Sequence, residues 1–255
     1  MSNLDSVTTE LKTKGFALVK GYLSDNIEFK KFKNEYYKLV CIRAKEHNVS
    51  IPDESSESIN QAVMQLDSVN KKTSAFFNDA LNATPALFQL LSSENIKNLA
   101  SIAIGKKNDA ILINNYRARI QIPGHDKVSN LSWHQDSHYN NFYMLDNSIV
   151  VWISVNDIGW EEGPIVFKEG SHVLKQVPRE EYKKPNGYTV YTVGDRYSGH
   201  PDFPEQSIKT KSGDVILLDM NVLHRSGDNL SSNVKLSLQC RCHNASTPRF
   251  LPHYL

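Results

Sequence analysis

From Asp109 onward the sequence breaks into strand-like runs, at 110–122, 147–156, 164–168, 187–193, 213–219 and 233–242, bounded by Gly, Pro, Asn and Asp. Many short strands at this spacing predict an antiparallel sandwich or barrel. The first half reads differently. Phe29, Phe32, Tyr36, Leu39 and Val40 recur every three or four residues behind Ser24, which predicts a helix over about 24–46 with Ser24 near its N-cap. Gly15 to Val19 reads as a short β segment just before it. Two more apolar-periodic stretches, about 74–91 and 94–103, predict helices packed on one side of the strands. Between them and the first helix, Ile51 to about Asn70 is polar and opens with Asp53-Glu54-Ser55-Ser56-Glu57-Ser58. It reads as a loop or a mobile lid.

At 255 residues, with 40% hydrophobic and 22% charged residues, the chain has apolar material for a sizeable core. One domain over 1–255 is expected, with about 1–108 mostly helical and about 109–245 carrying the strands. The net charge is +1, and Lys and Arg gather only in short clusters such as Lys30, Lys31 and Lys33 or Lys209 and Lys211. Nucleic acid is therefore not an expected partner. The opening residues lack a basic-then-apolar leader, and no window approaches the roughly 18 apolar residues of a membrane span, so a cytoplasmic protein is expected. Cys41, Cys240 and Cys242 form no C-x-x-C pair and are expected to be reduced, with Cys240 and Cys242 on one strand face. No Gly-rich phosphate loop is present, and no apolar heptads mark an assembly.

The strongest chemical signal is Trp133-His134-Gln135-Asp136. A His and an Asp two apart on a strand project to one face, where they could chelate a metal. One further His completes a facial triad suited to Fe(II), with open coordination positions. The candidate is His224, at the far end of a strand-and-turn element running from Gly213 and about ninety residues from His134. Only a fold that pairs distant strands can join them, as an antiparallel barrel does. Alternation over 111–121 puts Asn115, Arg117, Arg119 and Gln121 on one face. If that face is interior, Arg117 and Arg119 favour a ligand bearing carboxylate or phosphate. His138 and Tyr139 are candidate substrate contacts. His47, His125, His200, His243 and His253 show no partner pattern.

The segments Gly15 to Val19 with Gly21-Tyr22-Leu23-Ser24, Trp133-His134-Gln135-Asp136, Val151-Trp152-Ile153-Ser154-Val155, Glu162-Gly163-Pro164, Glu169-Gly170-Ser171-His172, and Gly213-Asp214 leading to His224 follow one another along nearly the whole chain. In that order the sequence resembles the phytanoyl-CoA dioxygenase family of Fe(II)- and 2-oxoglutarate-dependent oxygenases. The resemblance implies a mainly β, double-stranded β-helix (jelly-roll) core packed against N-terminal helices. It implies Fe(II) held by His134, Asp136 and His224, with 2-oxoglutarate and O2 as co-substrates and a small-molecule substrate. Where the family commonly carries an Arg eleven residues past the second His to anchor 2-oxoglutarate, this chain has Lys235, with Arg241 as the alternative anchor. Gln135, Trp152 and Ser226 would line the co-substrate pocket. Halogenating relatives lack the carboxylate of Asp136, so its presence implies hydroxylation. The 51–70 and 194–206 segments are candidate covers. Two other readings stay open: a metal-dependent jelly-roll isomerase or hydrolase, and a non-catalytic ligand-binding jelly-roll.

Overall fold

The computed structural model describes residues 4–105, 111–125, 130–139, 147–184 and 187–245. His253 and the start of the first long strand run, at Asp109 and Ala110, lie outside them. The helical half comprises α1 (Val7–Lys14), α2 (Ile27–Glu46), α3 (Ser56–Val69), α4 (Thr73–Asn82), α5 (Pro85–Leu91) and α6 (Glu94–Ile104), with strand β1 (Phe16–Val19) between α1 and α2. The cap of α2 is Asn26 rather than Ser24: its side chain accepts from the Phe29 amide at 2.8 Å.

Two expectations for this half are overturned. The polar 51–70 stretch is not a lid. Ser55 caps α3, Asp53 accepts from both the Ser55 amide and the Ser58 hydroxyl, and Ile59, Ala62, Val63 and Leu66 bury one stripe of the helix. Its Asn60 also accepts from the Val234 amide at 2.6 Å, tying α3 to the sheet. The polar head of this stretch is a capping segment, and the apolar stripe behind it is spaced i, i+3, i+4, i+7. The expected helix over 74–91 is two helices, because Pro85 cannot continue α4 and instead starts α5 behind its Thr84 cap.

The strand half comprises β2 (Ile111–Gln121), β3 (Ser148–Ser154), β4 (Ile165–Lys168), β5 (Glu180–Lys183), β6 (Thr189–Thr192), β7 (Glu205–Ile208), β8 (Val215–Asp219), β9 (His224–Arg225) and β10 (Lys235–Asn244), with a short helix α7 (Asp195–Ser198). One sheet runs β1-β8-β3-β10-β2, a second runs β7-β4-β9, and β5 pairs with β6. Every pairing is antiparallel. The two larger sheets face each other across Phe16, Trp152, Phe167, Ile216 and Leu218, with the Phe16 and Phe167 rings stacked at 4.2 Å. This is the expected jelly-roll with flanking helices. The runs at β5, β7 and β9 escape sequence reading because they are two to four residues long and rich in Glu, Lys, Gln and Arg.

Strand β10 alternates strictly. Leu236, Leu238, Cys240 and Cys242 join the core beneath the helices, while Lys235, Ser237, Gln239, Arg241 and His243 take the other face. The two thiols are free, share the helix-side face as expected, and lie 3.8 Å apart. Beside β10, β2 carries a bulge: between Arg117 and Asn114 it advances three residues while β10 advances two, and Asn115 sits at φ 44°. Simple alternation therefore fails beyond Arg117. Asn114, not Asn115, stands opposite Arg241, and Ile111 and Ile113 turn toward the helix-side core.

In the sheet order β2 is an edge strand, yet its outer backbone is covered. Asn82 of α4 accepts from the Ala118 amide at 2.8 Å and donates to the Ala118 carbonyl at 3.2 Å, and Asn78 accepts from the Ile120 amide at 2.9 Å. A helix face with Asn at i and i+4 thus substitutes for a missing strand.

Candidate active site

His134 and His224 meet through their backbones first. They form an isolated antiparallel bridge, the His134 amide donating to the His224 carbonyl at 3.0 Å and the reverse bond at 3.1 Å. Residues directly opposed in such a pair hold their side chains on one face, and the two imidazole centroids are 4.2 Å apart. The expected strand geometry for His134-x-Asp136 does not occur: Asp136 opens a 3-10 helix (Asp136–Tyr139), anchored by the Ser137 amide donating to Met220 at 2.9 Å. The turn still brings the carboxylate to the imidazoles. One ligand atom from each of His134, Asp136 and His224 lies within 4.8 Å of the others, and His224 Nε2 is 3.9 Å from Asp136 Oδ2.

The orientation of each imidazole follows from its hydrogen bond. His134 Nδ1 donates to the Ser132 carbonyl at 2.7 Å, and His224 Nδ1 donates to the Val222 carbonyl at 3.0 Å. In the neutral ring this leaves the lone pair on Nε2, facing the carboxylate. Burial, together with the neighbouring His224, holds His134 down at about 3, and burial likewise lowers His224. Both rings are therefore neutral near pH 7, the form that ligates. Burial alone would raise Asp136, but Arg241 and the two imidazoles outweigh it and hold the carboxyl at about 2. Two neutral imidazoles and one ionised carboxylate, all buried, are a donor set that fits a divalent transition metal and leaves coordination positions open.

The triad stands at the wall of a cavity of about 950 Å³. Trp152 and Ser226 line it, as do Lys235, Arg117, Arg119 and Tyr139. The Ser226 hydroxyl accepts from the Leu131 amide at 3.2 Å, and the Tyr139 hydroxyl accepts from the Tyr191 amide at 3.1 Å. Lys235 is buried and its Nζ donates to the Gly163 carbonyl at 2.5 Å, so the turn at Glu162-Gly163-Pro164 supports it. Gly163 has φ 71°, and a Cβ there would lie 2.4 Å from the Asp228 carbonyl oxygen, so the turn accepts no side chain.

Other expected site residues point elsewhere. Gln135 does not line the cavity: its amide donates to the Lys175 and Asn221 carbonyls at 2.8 and 2.6 Å and accepts from the Val177 amide at 2.9 Å. As the residue between two converging candidate ligands it faces the opposite way, and there it ties its own segment to the loops at 175–177 and 221. His138 is also turned from the cavity, its Nε2 donating to the Val177 carbonyl at 2.9 Å. Arg241 lines the cavity, but it pairs with Asp136 and donates to the Asn115 carbonyl at 2.8 Å. It is a partner of the carboxylate, which its polar face on β10 hints at but its sequence spacing does not reveal. No residue of 51–70 or 194–206 lines the cavity. Lys184, Tyr188, Thr189 and Val190 at the β5–β6 hairpin and Asn78 and Asn82 of α4 line it instead; the sequence puts 188–190 in a strand run and 78 and 82 in a helical stretch, but neither pattern marks a site.

No helix among the described residues is long and apolar enough to cross a membrane. Among curated proteins none matches the sequence. Among solved structures, the epimerase SnoN in complex with Fe3+, alpha ketoglutarate and nogalamycin RO is 16% identical, with a TM-score of 0.64 over 99% of this chain and 91% of that one. EctD from S. alaskensis with 2-oxoglutarate and 5-hydroxyectoine is 15% identical, with a TM-score of 0.60 over 96% and 77%. The carbocyclase SnoK from nogalamycin biosynthesis, described as non-heme and alpha ketoglutarate dependent, is 15% identical with a TM-score of 0.60 over 96% and 85%. These likenesses establish the shared fold. The family described as Phytanoyl-CoA dioxygenase (PhyH) matches residues 11–237, and the chain belongs to that family.

Proposed function

We propose that residues 1–255 act as one Fe(II)- and 2-oxoglutarate-dependent oxygenase unit that hydroxylates an unactivated C–H bond of a small molecule, releasing succinate and CO2. The observation that carries this reading is the convergence of His134, Asp136 and His224 within 4.8 Å at the wall of a large cavity. Iron held there would supply the oxidising chemistry, with 2-oxoglutarate and O2 as its co-substrates. The chain's own residues do the rest. The two Nδ1–H bonds to backbone carbonyls fix the imidazoles before any ligand arrives. Arg241 keeps Asp136 ionised. Lys235 is the cation we assign to the far carboxylate of 2-oxoglutarate, with the Ser226 hydroxyl and the Trp152 ring forming the pocket beside it. Trp152, Val150 and Leu218 give this part of the cavity an apolar wall.

Similar folds serve an epimerase and a carbocyclase as well as EctD, so the product decides the reaction type. The intact carboxylate of Asp136 supports hydroxylation over halogen transfer. The test is a screen of candidate metabolites with iron-loaded protein, following succinate and product mass together. Hydroxylation gives succinate in step with a product heavier by one oxygen atom. Succinate with a product of unchanged composition would reassign the enzyme to epimerisation, and turnover without 2-oxoglutarate or O2 would reject the oxygenase reading.

A further inference from the structure

The cavity carries more positive charge than iron and 2-oxoglutarate account for. Across the β2–β10 ladder Lys235 stands opposite Gln121, Arg119 opposite Ser237, and Arg117 opposite Gln239. Directly opposed residues share a face, so Arg117, Arg119, Lys235 and Arg241 all belong to one wall, and all four line the cavity. Lys184 joins them from the end of β5, its Nζ donating to the Asn130 carbonyl at 2.7 Å.

Set against these five cations among the described residues are Asp136, which pairs with Arg241, and the exposed Asp79 on α4. The other cations at the rim have partners of their own: Lys71 pairs with Asp67, and Arg225 lies 3.7 Å from Glu205. Under the function proposed above, Fe(II) and the 2-oxoglutarate dianion cancel each other. Among the described residues, Asp136 answers Arg241 and the 2-oxoglutarate carboxylate would engage Lys235, which leaves Arg117 and Arg119 facing the remaining space.

Arg119 is central to this excess. No hydrogen bond or ion pair joins its guanidinium to another side chain among the described residues, and burial together with Arg117 lowers its pKa to about 10. Lys184 responds in the same way: burial and then Arg119 bring it down to about 8. A partly buried cation held beside other cations raises the free energy of the empty site, and an anion relieves it. The backbone of β2 at this point is fixed by Asn78 and Asn82, so the arginines are presented on a rigid strand. Two guanidinium groups two residues apart on one strand are about 7 Å apart at their Cα atoms, a span that one carboxylate or phosphate can bridge with forked bonds from each side.

We propose that the substrate is itself an anion, carrying a carboxylate or phosphate that docks on Arg117 and Arg119 with Lys184 beside it, separate from the carboxylate of 2-oxoglutarate on Lys235. The proposal rests on the oxygenase reading, and its test keeps the two apart. Protein loaded with Fe(II) and 2-oxoglutarate without oxygen is titrated calorimetrically, at fixed ionic strength, with phenyl phosphate, benzoate and the neutral benzamide. In the same samples the metal-to-2-oxoglutarate charge-transfer absorbance reports co-substrate binding. At least one acid anion binds at least tenfold tighter than benzamide. R119Q weakens that anion at least tenfold and R117Q at least threefold, R119K recovers part of the loss, and 2-oxoglutarate affinity stays within twofold.

Equal binding of benzamide, or no binding of either anion, overturns the proposal. So does a tenfold loss of 2-oxoglutarate affinity in R119Q, which would make Arg119 the co-substrate anchor. Should R119Q fail to fold, R117Q and R119K decide by the same criteria. If the absorbance never develops in the unmodified protein, the oxygenase reading fails, while the calorimetric arm on the metal-free protein still tests the anion site. Preference between phenyl phosphate and benzoate then identifies which acid group the substrate carries.

Discussion

The two faces of the five-stranded sheet differ as sharply as a core and a solvent-lined site. On the helix side, Ala118, Ile120, Val151, Ile153, Leu217, Leu236, Leu238, Cys240 and Cys242 are sealed beneath the helices. On the other face of the same strands stand Arg117, Arg119, Lys235 and Arg241, with Trp152, beside the triad. One set of backbones therefore holds apolar packing within one residue of clustered charge. Burying the first face stabilises the fold, and that stability tolerates the unfavourable charge of the second.

The largest expected effect breaks the contrast at its sharpest point. Asp136→Ala leaves Arg241 buried without its carboxylate, and should cost about 4 kcal/mol of stability while abolishing metal binding. Denaturant unfolding with and without Mn(II) reads both, and an unchanged midpoint would show that the cationic face needs no internal counter-charge. Leu238→Ala, on the same strand but the opposite face, should lose about 3 kcal/mol through the cavity it leaves. Its response to Mn(II) should match that of the unmodified protein, and a lost response would mean that the faces are not separable.

Next comes the ligand itself. Mn(II) at about one hundred times its dissociation constant should stabilise the metal-free protein by about 2.7 kcal/mol, and His224→Ala should remove that gain. A stabilisation that persists in the variant would place the ion elsewhere. The smallest effect probes the link between helix and strand. Asn82→Ala leaves the Ala118 amide without its acceptor, and should cost about 1–2 kcal/mol with faster hydrogen exchange at Ala118. No change in exchange would mean that α4 does not guard the edge of β2.

Much of this was legible beforehand where chemistry and periodicity coincide. The strand runs at β2, β3, β4, β6, β8 and β10, the helix over α2, and the candidates His134, Asp136 and His224 follow from residue type, spacing and ordered family motifs. Reading failed where a polar stretch concealed a capped helix, as at Asp53 to Ser58 ahead of α3, because capping residues and loop residues are the same residues. It also failed at Gln135 and His138, which lie within two residues of the candidate ligand Asp136 but whose side chains serve loop backbones. One inserted residue at Asn115 reversed the faces of Ile111 and Ile113, a shift that alternation cannot foresee.

By itself the sequence determined the inventory: which donors exist, which segments extend or coil, and which family's order of motifs they follow. The tertiary structure alone decided which groups meet. The His134–His224 bridge, the Arg241–Asp136 pair and the crowd of cations around Arg119 join residues about ninety or more positions apart, or strands paired across the ladder. Local rules act over a few residues, whereas charge and coordination act through space, and only the closed sheets bring those distances down to a few ångströms.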